Sequence, residues 1–505
     1  MKRIGWVWAC LGLAALQVSA AGRPPQDTPN IIYILADDLG YGDVSCLNPD
    51  MGKIDTPRMD QLAAEGMTFT DAHTSSSVCT PTRYSILTGR YNWRSKLQAQ
   101  VLMGYDPPLI DADRLTVADL LKQQGYNTAC IGKWHIGLGM QTVNGEPMND
   151  EPLPNVDWSK PITGGPVDLG FDYFFGIASS LNIPPYIYIE NDRFLGECTV
   201  LKGSGGRKGA AEKDFDDEQT LPRLTRKTIE YIQQQDEETP FFIYLALTSP
   251  HTPIVPTSEW TGKSEVGQYG DFVMQTDAVI GEVVDALDAS GLGENTIVIV
   301  TSDNGTSKWC GTKKLLELGH HFSGIYRGSK GDLWDGGHRV PFFLRWPAKV
   351  QGGTECDQLV SLNDLMATAA ELTGADIPEN AGEDSVSFLP ALDGEKIESS
   401  RAGVIHHSFS GHFAYRQGKW KLLLAKSSGG WTEPVEEAMP ADATVAQLYD
   451  MEADPGETTN LYESHPEVVE RLLKQLESDV ARGRSTGGAA QKNDVDDIVL
   501  WKSGK

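Results

Sequence analysis

Positive charge is scarce in this chain. Against 70 Asp and Glu stand only 43 Lys and Arg, leaving a net charge of −27 over 505 residues. Binding to phosphate backbones needs a broad basic face, so the balance argues against nucleic acid as the main partner. An anionic small substrate is not excluded, because a cationic pocket can sit inside an acidic protein. Long apolar runs are missing beyond the first twenty or so residues, so no stable membrane insertion is expected. Cysteine is sparse, at 7 residues with no CxxC pair, so a zinc site is not expected. No internal repeat is present. What the chain has in quantity is core material: 40% hydrophobic residues and 12 Trp exclude disorder over most of its length. Length alone allows about three domains at roughly 150 residues each.

The N-terminus reads as an export signal over residues 1–21. Lys2 and Arg3 form a charged start, Trp6 to Leu16 is apolar, and Val18-Ser19-Ala20 fits a small-residue cleavage site. The apolar stretch is shorter than the roughly 20 residues that a membrane span needs. A periplasmic or secreted protein is therefore expected. Cys10 lies inside the apolar stretch and not at its end, so no lipoprotein site is read. Cys46, Cys79, Cys130, Cys198, Cys310 and Cys356 remain. An exported protein can pair some of them, but the sequence does not give the connectivity.

Four apolar runs read as buried parallel strands: Asn30–Ala36, Asn127–Gly132, Phe241–Leu247 and Thr296–Thr301. Helical patterns lie between them, at Leu115–Gln124, Leu221–Gln235 and Tyr269–Leu287. In the last, Phe272, Val273, Thr276, Val279, Ile280, Val283, Val284 and Leu287 fall on one stripe. Strands alternating with helices predict an α/β fold with a mostly parallel sheet covered on both faces. Met140–Pro166 reads as a long loop, and Gly203–Gly209 as a flexible turn or linker. After about Asp376 the pattern changes. Val404–Phe409, Phe413–Arg416 and Trp420–Leu424 read as short antiparallel strands, with Gln417-Gly418 as a hairpin turn and a helix at Pro466–Ala481. The expected division is a catalytic domain over 22–375, a smaller α+β subdomain over 376–482 and a tail over 483–505. The stretch Gly483–Ala490 is small and polar, so ordered only if docked.

Ligands of open α/β sheets bind beyond the carboxyl ends of the strands. Here each apolar run leads within a few residues into reactive groups: Asp37-Asp38, Lys133-Trp134-His135, His251, and Asp303-Asn304. Asp and Asn favour strand-to-loop junctions for turn chemistry alone. Together on one sheet edge, the two pairs read as an all-oxygen cation site suited to Ca²⁺ or Mg²⁺. Lys133 and His135, two apart, share a face in an extended segment and offer an anion partner and a proton carrier. His251 stands between Pro250 and Pro253, where a plain loop histidine is the competing reading. The sharpest feature is Cys79-Thr80-Pro81-Thr82-Arg83, continuing to Arg90. Pro81 suits a first helical turn, which puts Cys79 at a helix N-terminus, where anions are favoured.

These residues together resemble the type I sulfatase family of the alkaline-phosphatase-like superfamily. The likeness runs from Asn30 to about Tyr462. It rests on the Cys-x-Pro-x-Arg run and on Gly132-Lys133-Trp134-His135-Ile136-Gly137. The resemblance implies an alkaline-phosphatase-like sheet sandwiched by helices, with a C-terminal α+β subdomain built on an antiparallel sheet. It also implies that a formylglycine-generating maturation enzyme oxidises Cys79 to Cα-formylglycine, with Arg83 stabilising it. Asp37, Asp38, Asp303 and Asn304, with the modified Cys79, would hold Ca²⁺. Lys133, His135, His251 and Lys330, the last in Gly328-Ser329-Lys330-Gly331, would surround the sulfate. Ser180–Pro185 and Gly483–Thr486 resemble members similar to N-acetylgalactosamine-6-sulfatases. That likeness implies a sulfated carbohydrate of the 6-O-sulfated galactose type, with Asn182, His406, His407, His412 and Arg416 as candidate sugar contacts. The competing functions are a phosphonate or phosphodiester hydrolase of the same superfamily and a sulfated-glycan binding protein without turnover.

Overall fold

In the strand Asn30–Asp37, Ile31, Tyr33 and Leu35 face one core, while Ile32, Ile34 and Ala36 face another. Side chains alternate along a strand, so a run that is apolar at every position needs cover on both sides. The computed structural model, which describes residues 28–204 and 207–502, supplies that cover. The reading of residues 1–21 as an export signal lies outside the described residues. No described helix is long and apolar enough to cross a membrane.

The main sheet has ten strands. Its parallel centre runs Thr296–Ser302, Asn30–Asp37, Phe241–Pro250, Asn127–Lys133 and Tyr173–Ile177. All four strands expected from the sequence are therefore neighbours, each extended a little at its carboxyl end. Phe342–Arg345 and Tyr188–Glu190 flank this centre in antiparallel pairing. The helices Cys79–Thr88, Val117–Gln123 and Leu365–Thr373 pack on one face. The helices Pro57–Glu65, Thr220–Ile232 and Gln268–Ala289 pack on the other. Every member of the apolar stripe in Gln268–Ala289 is buried, and each fully buried aliphatic side chain contributes about 1.5–3 kcal/mol. The helix expected at 115–124 begins later, because Thr116 caps it: Asp119 N donates to Thr116 Oγ1 at 3.1 Å.

Around residues 203–209 the chain follows the turn and not the linker of the two readings. Cys198–Ser204 and Arg207–Glu212 pair as an antiparallel hairpin. A side chain on Gly209 would meet Pro184 Cγ at 2.4 Å, so that glycine serves a close approach. The C-terminal sheet has four antiparallel strands, Val404–His407, Phe413–Gln417, Trp420–Leu423 and Gln447–Asp450. The fourth was too short and too far removed in sequence to stand out. Gln417 pairs with Trp420, so the turn is Gly418-Lys419 and not Gln417-Gly418. Gly418 takes the left-handed φ of 56° there. The helix Pro466–Ala481 covers this sheet through Val468, Val469, Leu472 and Leu476, which pack with Tyr91 and Trp93 from the first half.

The tail is docked. Arg484, Ser485 and Thr486 are buried, and Ser485 N donates to Asp384 Oδ1 at 2.9 Å. The same carboxylate receives Arg94 at 2.8 and 2.9 Å, while Arg90 reaches Asp494 at 3.0 Å. All six cysteines from Cys46 onward are free thiols.

Candidate active site

The carboxyl ends of the central strands converge on one buried cluster. Ala36 stands opposite Ser302, and Ala246 opposite Gly132, so the residues that follow emerge side by side. Asp37, Asp38, Asp303, Asn304, Arg83 and Lys133 have no solvent exposure, and Lys330 only 3%. Charges that deep are paired or hold an ion. Lys133 Nζ donates to both oxygens of Asp37 at 2.8 Å. Arg83 Nε and Nη2 donate to Asp303 Oδ2 at 2.9 and 2.7 Å, and its Nη1 to the Lys133 carbonyl at 3.1 Å. Lys330 Nζ donates to Asp38 Oδ1 at 2.5 Å. Asn304 Nδ2 donates to the same oxygen at 2.7 Å, and Asp38 N donates to Asp303 Oδ1 at 3.2 Å.

Cys79 opens the helix Cys79–Thr88, with Pro81 in its first turn. Thr82 Oγ1 donates to Ser76 O at 2.8 Å, and Gly331 N to Ser77 O at 2.9 Å. These bonds set the start of the helix against the loop carrying Lys330. Burial pushes the Cys79 thiol up, while Lys133 and Lys330 pull it down and Asp303 and Asp37 push it up further. Burial also raises Asp37, but Lys133, His251 and Arg83 more than reverse this and leave its carboxyl below the ordinary range.

Two histidines complete the cluster. His251 Nε2 lies 3.6 Å from Asp38 Oδ2, and its Nδ1 faces Thr252 O at 2.5 Å. Burial lowers its pKa against the pull of Asp38 and Asp37. His135 Nε2 faces Leu102 O at 2.8 Å, which leaves Nδ1 buried without a partner. Burial and then Lys133 hold His135 well below the usual histidine value. Asp38 and His135 both adopt left-handed backbone, with φ of 68° and 57°. Such conformations in non-glycine residues are uncommon and gather where a site demands them.

The candidate sugar contacts separate. His135 N donates to Ala178 O at 3.0 Å, bringing the stretch Ser179–Asn182 beside the cluster. Ser179 Oγ, Ser180 Oγ and Asn182 Oδ1 are buried there without a partner. His406 and Arg416 are elsewhere, in correction of the expectation. They sit in strands whose inward faces are covered, so they cannot overhang a pocket. His406 stacks on His338, and Arg416 is taken up by Asp71 at 3.5 Å and by the Gly418 carbonyl. His407 and His412 are likewise buried. His407 packs on Phe413 and meets the segment before Cys79 through its backbone: its N donates to Ser75 O at 3.1 Å, and its carbonyl accepts from Ser76 Oγ at 2.9 Å. His412 packs beside Gly429.

Sequence reasoning missed an aromatic pair at the same rim. Trp431 lies on Gly331, next to Lys330, and packs against Phe409 with ring centroids 4.7 Å apart and the planes tilted by 52°. Asp332 Oδ1 accepts from Trp431 N and Thr432 N at 2.9 and 3.0 Å, which fastens the two loops together. The only signal in the sequence was Gly429-Gly430 before the tryptophan.

A family model described as Sulfatase matches residues 29–375. This chain belongs to the type I sulfatase family. A second model, N-sulphoglucosamine sulphohydrolase, C-terminal, matches residues 329–484. The sulfatase is 35% identical over 497 residues to an N-acetylgalactosamine-6-O-sulfatase of Bacteroides thetaiotaomicron, covering 89% of this chain and 93% of that one. It is 31% identical to human arylsulfatase A, over 91% of this chain and 89% of the relative. A solved 6S-sulf structure, from work on glycosaminoglycan metabolism by Bacteroides thetaiotaomicron, superposes with a TM-score of 0.78 at 33% identity. That match covers 90% of this chain and 99% of the other. The alkaline-phosphatase-like fold expected from the sequence holds, and the sulfatase is a sulfuric ester hydrolase.

The cluster also suits a hard cation. Asp38 Oδ2 and Asn304 Oδ1 are buried acceptors that receive no hydrogen bond from the described residues. Three carboxylates, Asp37, Asp38 and Asp303, face three cations, Arg83, Lys133 and Lys330. The cluster's own charge is thus balanced. A divalent cation would leave it with a positive surplus, which favours an anionic sulfate ester.

Proposed function

We propose that this sulfatase hydrolyses a sulfate ester on a carbohydrate, of the 6-O-sulfated galactose or N-acetylgalactosamine type. The observation that carries this is the convergence of Arg83, Lys133 and Lys330 with three carboxylates beside Cys79 at a helix start. The sugar class rests on the likeness to the N-acetylgalactosamine-6-O-sulfatase. In the same reading, residues 1–21 direct export to the periplasm or beyond. The catalytic domain then spans 22–375, the C-terminal subdomain 376–482 and the tail 483–505.

Cys79, oxidised to Cα-formylglycine by a maturation enzyme, would supply a hydrated aldehyde hydroxyl as nucleophile, a chemistry that resets where a thiol would be trapped. Asp37, Asp38, Asp303 and Asn304, with the modified Cys79, would hold Ca²⁺, which lends charge stabilisation to the anionic oxygens. The chain's own groups do the rest. Lys133 and Lys330 turn from Asp37 and Asp38 towards the sulfate oxygens, and charge developing in the transition state finds donors already oriented. Arg83 orients Asp303. The Thr252 carbonyl keeps a proton on His251 Nδ1, so Nε2 is the atom that takes up a proton beside Asp38 and delivers it to the leaving sugar oxygen. The Leu102 carbonyl keeps a proton on His135 Nε2, so Nδ1 is the lone pair that accepts one. Asn182 offers a polar contact to the sugar.

Sulfate and phosphate release from a panel of 6-, 4-, 3- and 2-sulfated sugars and phosphate esters tests this, with a formylglycine-generating partner co-expressed. Sulfate from a 6-sulfated galactose-type sugar is expected. Phosphate alone would move the protein to the phosphonate or phosphodiester hydrolases. Release of neither, with Cys79 converted, would mean that the panel lacks the substrate or that the protein only binds glycan.

A further inference from the structure

Behind the segment that leads into the nucleophile helix, three histidines from three elements meet. His73 ends the short strand Ala72–His73, His338 ends the helical turn Asp335–His338, and His406 lies in the strand Val404–His407. All three are fully buried. One ring nitrogen of each is anchored. His73 Nε2 lies 2.9 Å from Asp71 Oδ1, His338 Nε2 3.0 Å from Leu333 O, and His406 Nδ1 3.1 Å from Thr74 O. Carboxylates and carbonyls only accept, so each anchored nitrogen carries the proton of its neutral ring.

The remaining nitrogens then turn lone pairs on one another. His73 Nδ1 and His338 Nδ1 stand 2.9 Å apart, and His406 Nε2 has no partner. A ring nitrogen from each histidine lies within 4.8 Å of the others. Two bare acceptors at hydrogen-bond distance need something positive between them. A proton would make a buried imidazolium, which burial opposes in all three rings, and it would leave His406 Nε2 unsatisfied. The neighbouring Arg339 and Lys421 are already paired with Asp71 and Asp335.

We propose that His73, His338 and His406 form a zinc site, separate from the oxygen-lined cluster of the active site. Neutral imidazoles suit zinc, where carboxylates suit Ca²⁺. Each ring donates its far N–H to a carboxylate or carbonyl, the support that metal-bound histidines show. Two nitrogens on a tetrahedral zinc, with bonds of about 2.0–2.1 Å, stand about 3.3 Å apart, near the separation of the first pair. The His338 and His406 rings stack at 3.8 Å and 12°, so coordination turns the His406 ring out of that stack. The lack of paired cysteines argues against a thiolate site and does not bear on this one. The ion would tie the C-terminal sheet to the strand before Cys79 and to the loop after Lys330.

The test is zinc content of the full-length protein made in zinc-supplemented medium, with X-ray absorption at the zinc edge. One zinc per chain with imidazole scattering is expected, falling to trace in His406→Gln. A folded wild-type protein without zinc overturns the proposal, as does zinc with oxygen ligands alone. Should His406→Gln fail to fold, the wild-type spectrum decides by itself. Neither measurement depends on sulfatase activity.

Discussion

Arg83 places two N–H groups on a single oxygen of Asp303, Oδ2, and leaves Oδ1 to the backbone amide of Asp38. The pair has no solvent exposure. Asp303→Ala would strand a buried guanidinium, and a loss of about 3–5 kcal/mol in urea unfolding is expected. Asp303→Asn keeps an acceptor and should cost less stability, yet weaken Ca²⁺ binding in calorimetry. Unchanged affinity and rate in Asp303→Asn would remove this residue from the cation site.

Cys79→Ala should abolish sulfate release while circular dichroism and melting temperature stay near wild type. The side chain is small, and the helix bonds around it come from the backbone and from Thr82. A variant with full activity would sink the proposed nucleophile.

Trp431→Ala should raise KM for the sulfated sugar roughly tenfold, on about 1–1.5 kcal/mol of lost stacking. Turnover of a small aryl sulfate, which does not reach that ring, should hold. Equal losses on both substrates would mean that Trp431 serves only to pack the loop at Gly331.

Asp277 predicts a pH dependence of stability. It accepts from the backbone amides of Arg58 and Met59 at 3.0 and 2.8 Å. Burial pushes its carboxyl up to about 6 from 3.8, against those two bonds. Between these values the folded state binds more protons than the unfolded one. Stability from this residue is therefore present below pH 3.8 and lost as pH rises to about 6, at up to about 1.4 kcal/mol per unit. Asp277→Asn should flatten that slope in urea midpoints taken from pH 4 to 7. An identical slope in the variant would place the titration elsewhere.

The central sheet was legible because its strands are apolar at every position, a pattern that few other structures bury. The cluster was legible because chemistry falls directly after each of those strands. The rim was not. His406 and Arg416 carry the right chemistry for a sugar, but strand alternation turns them inward, and a single sequence does not show which face a C-terminal sheet buries. Trp431 was hidden for the opposite reason. It has no periodic context, and its place beside Lys330 depends on Asp332, about a hundred residues earlier in sequence. The fourth strand Gln447–Asp450 and the docked tail share that dependence on distant partners.

The clasp of Arg90 and Arg94 has a consequence for how the protein is made. Their carboxylate partners at Asp384 and Asp494 lie 290 and 404 residues later in the chain. A ribosome must therefore deliver nearly the whole polypeptide before the segment bearing Cys79 can close into its final packing. Until then the thiol, 2% exposed once folded, has no finished wall around it. The order of synthesis would give a modifying enzyme its interval of access.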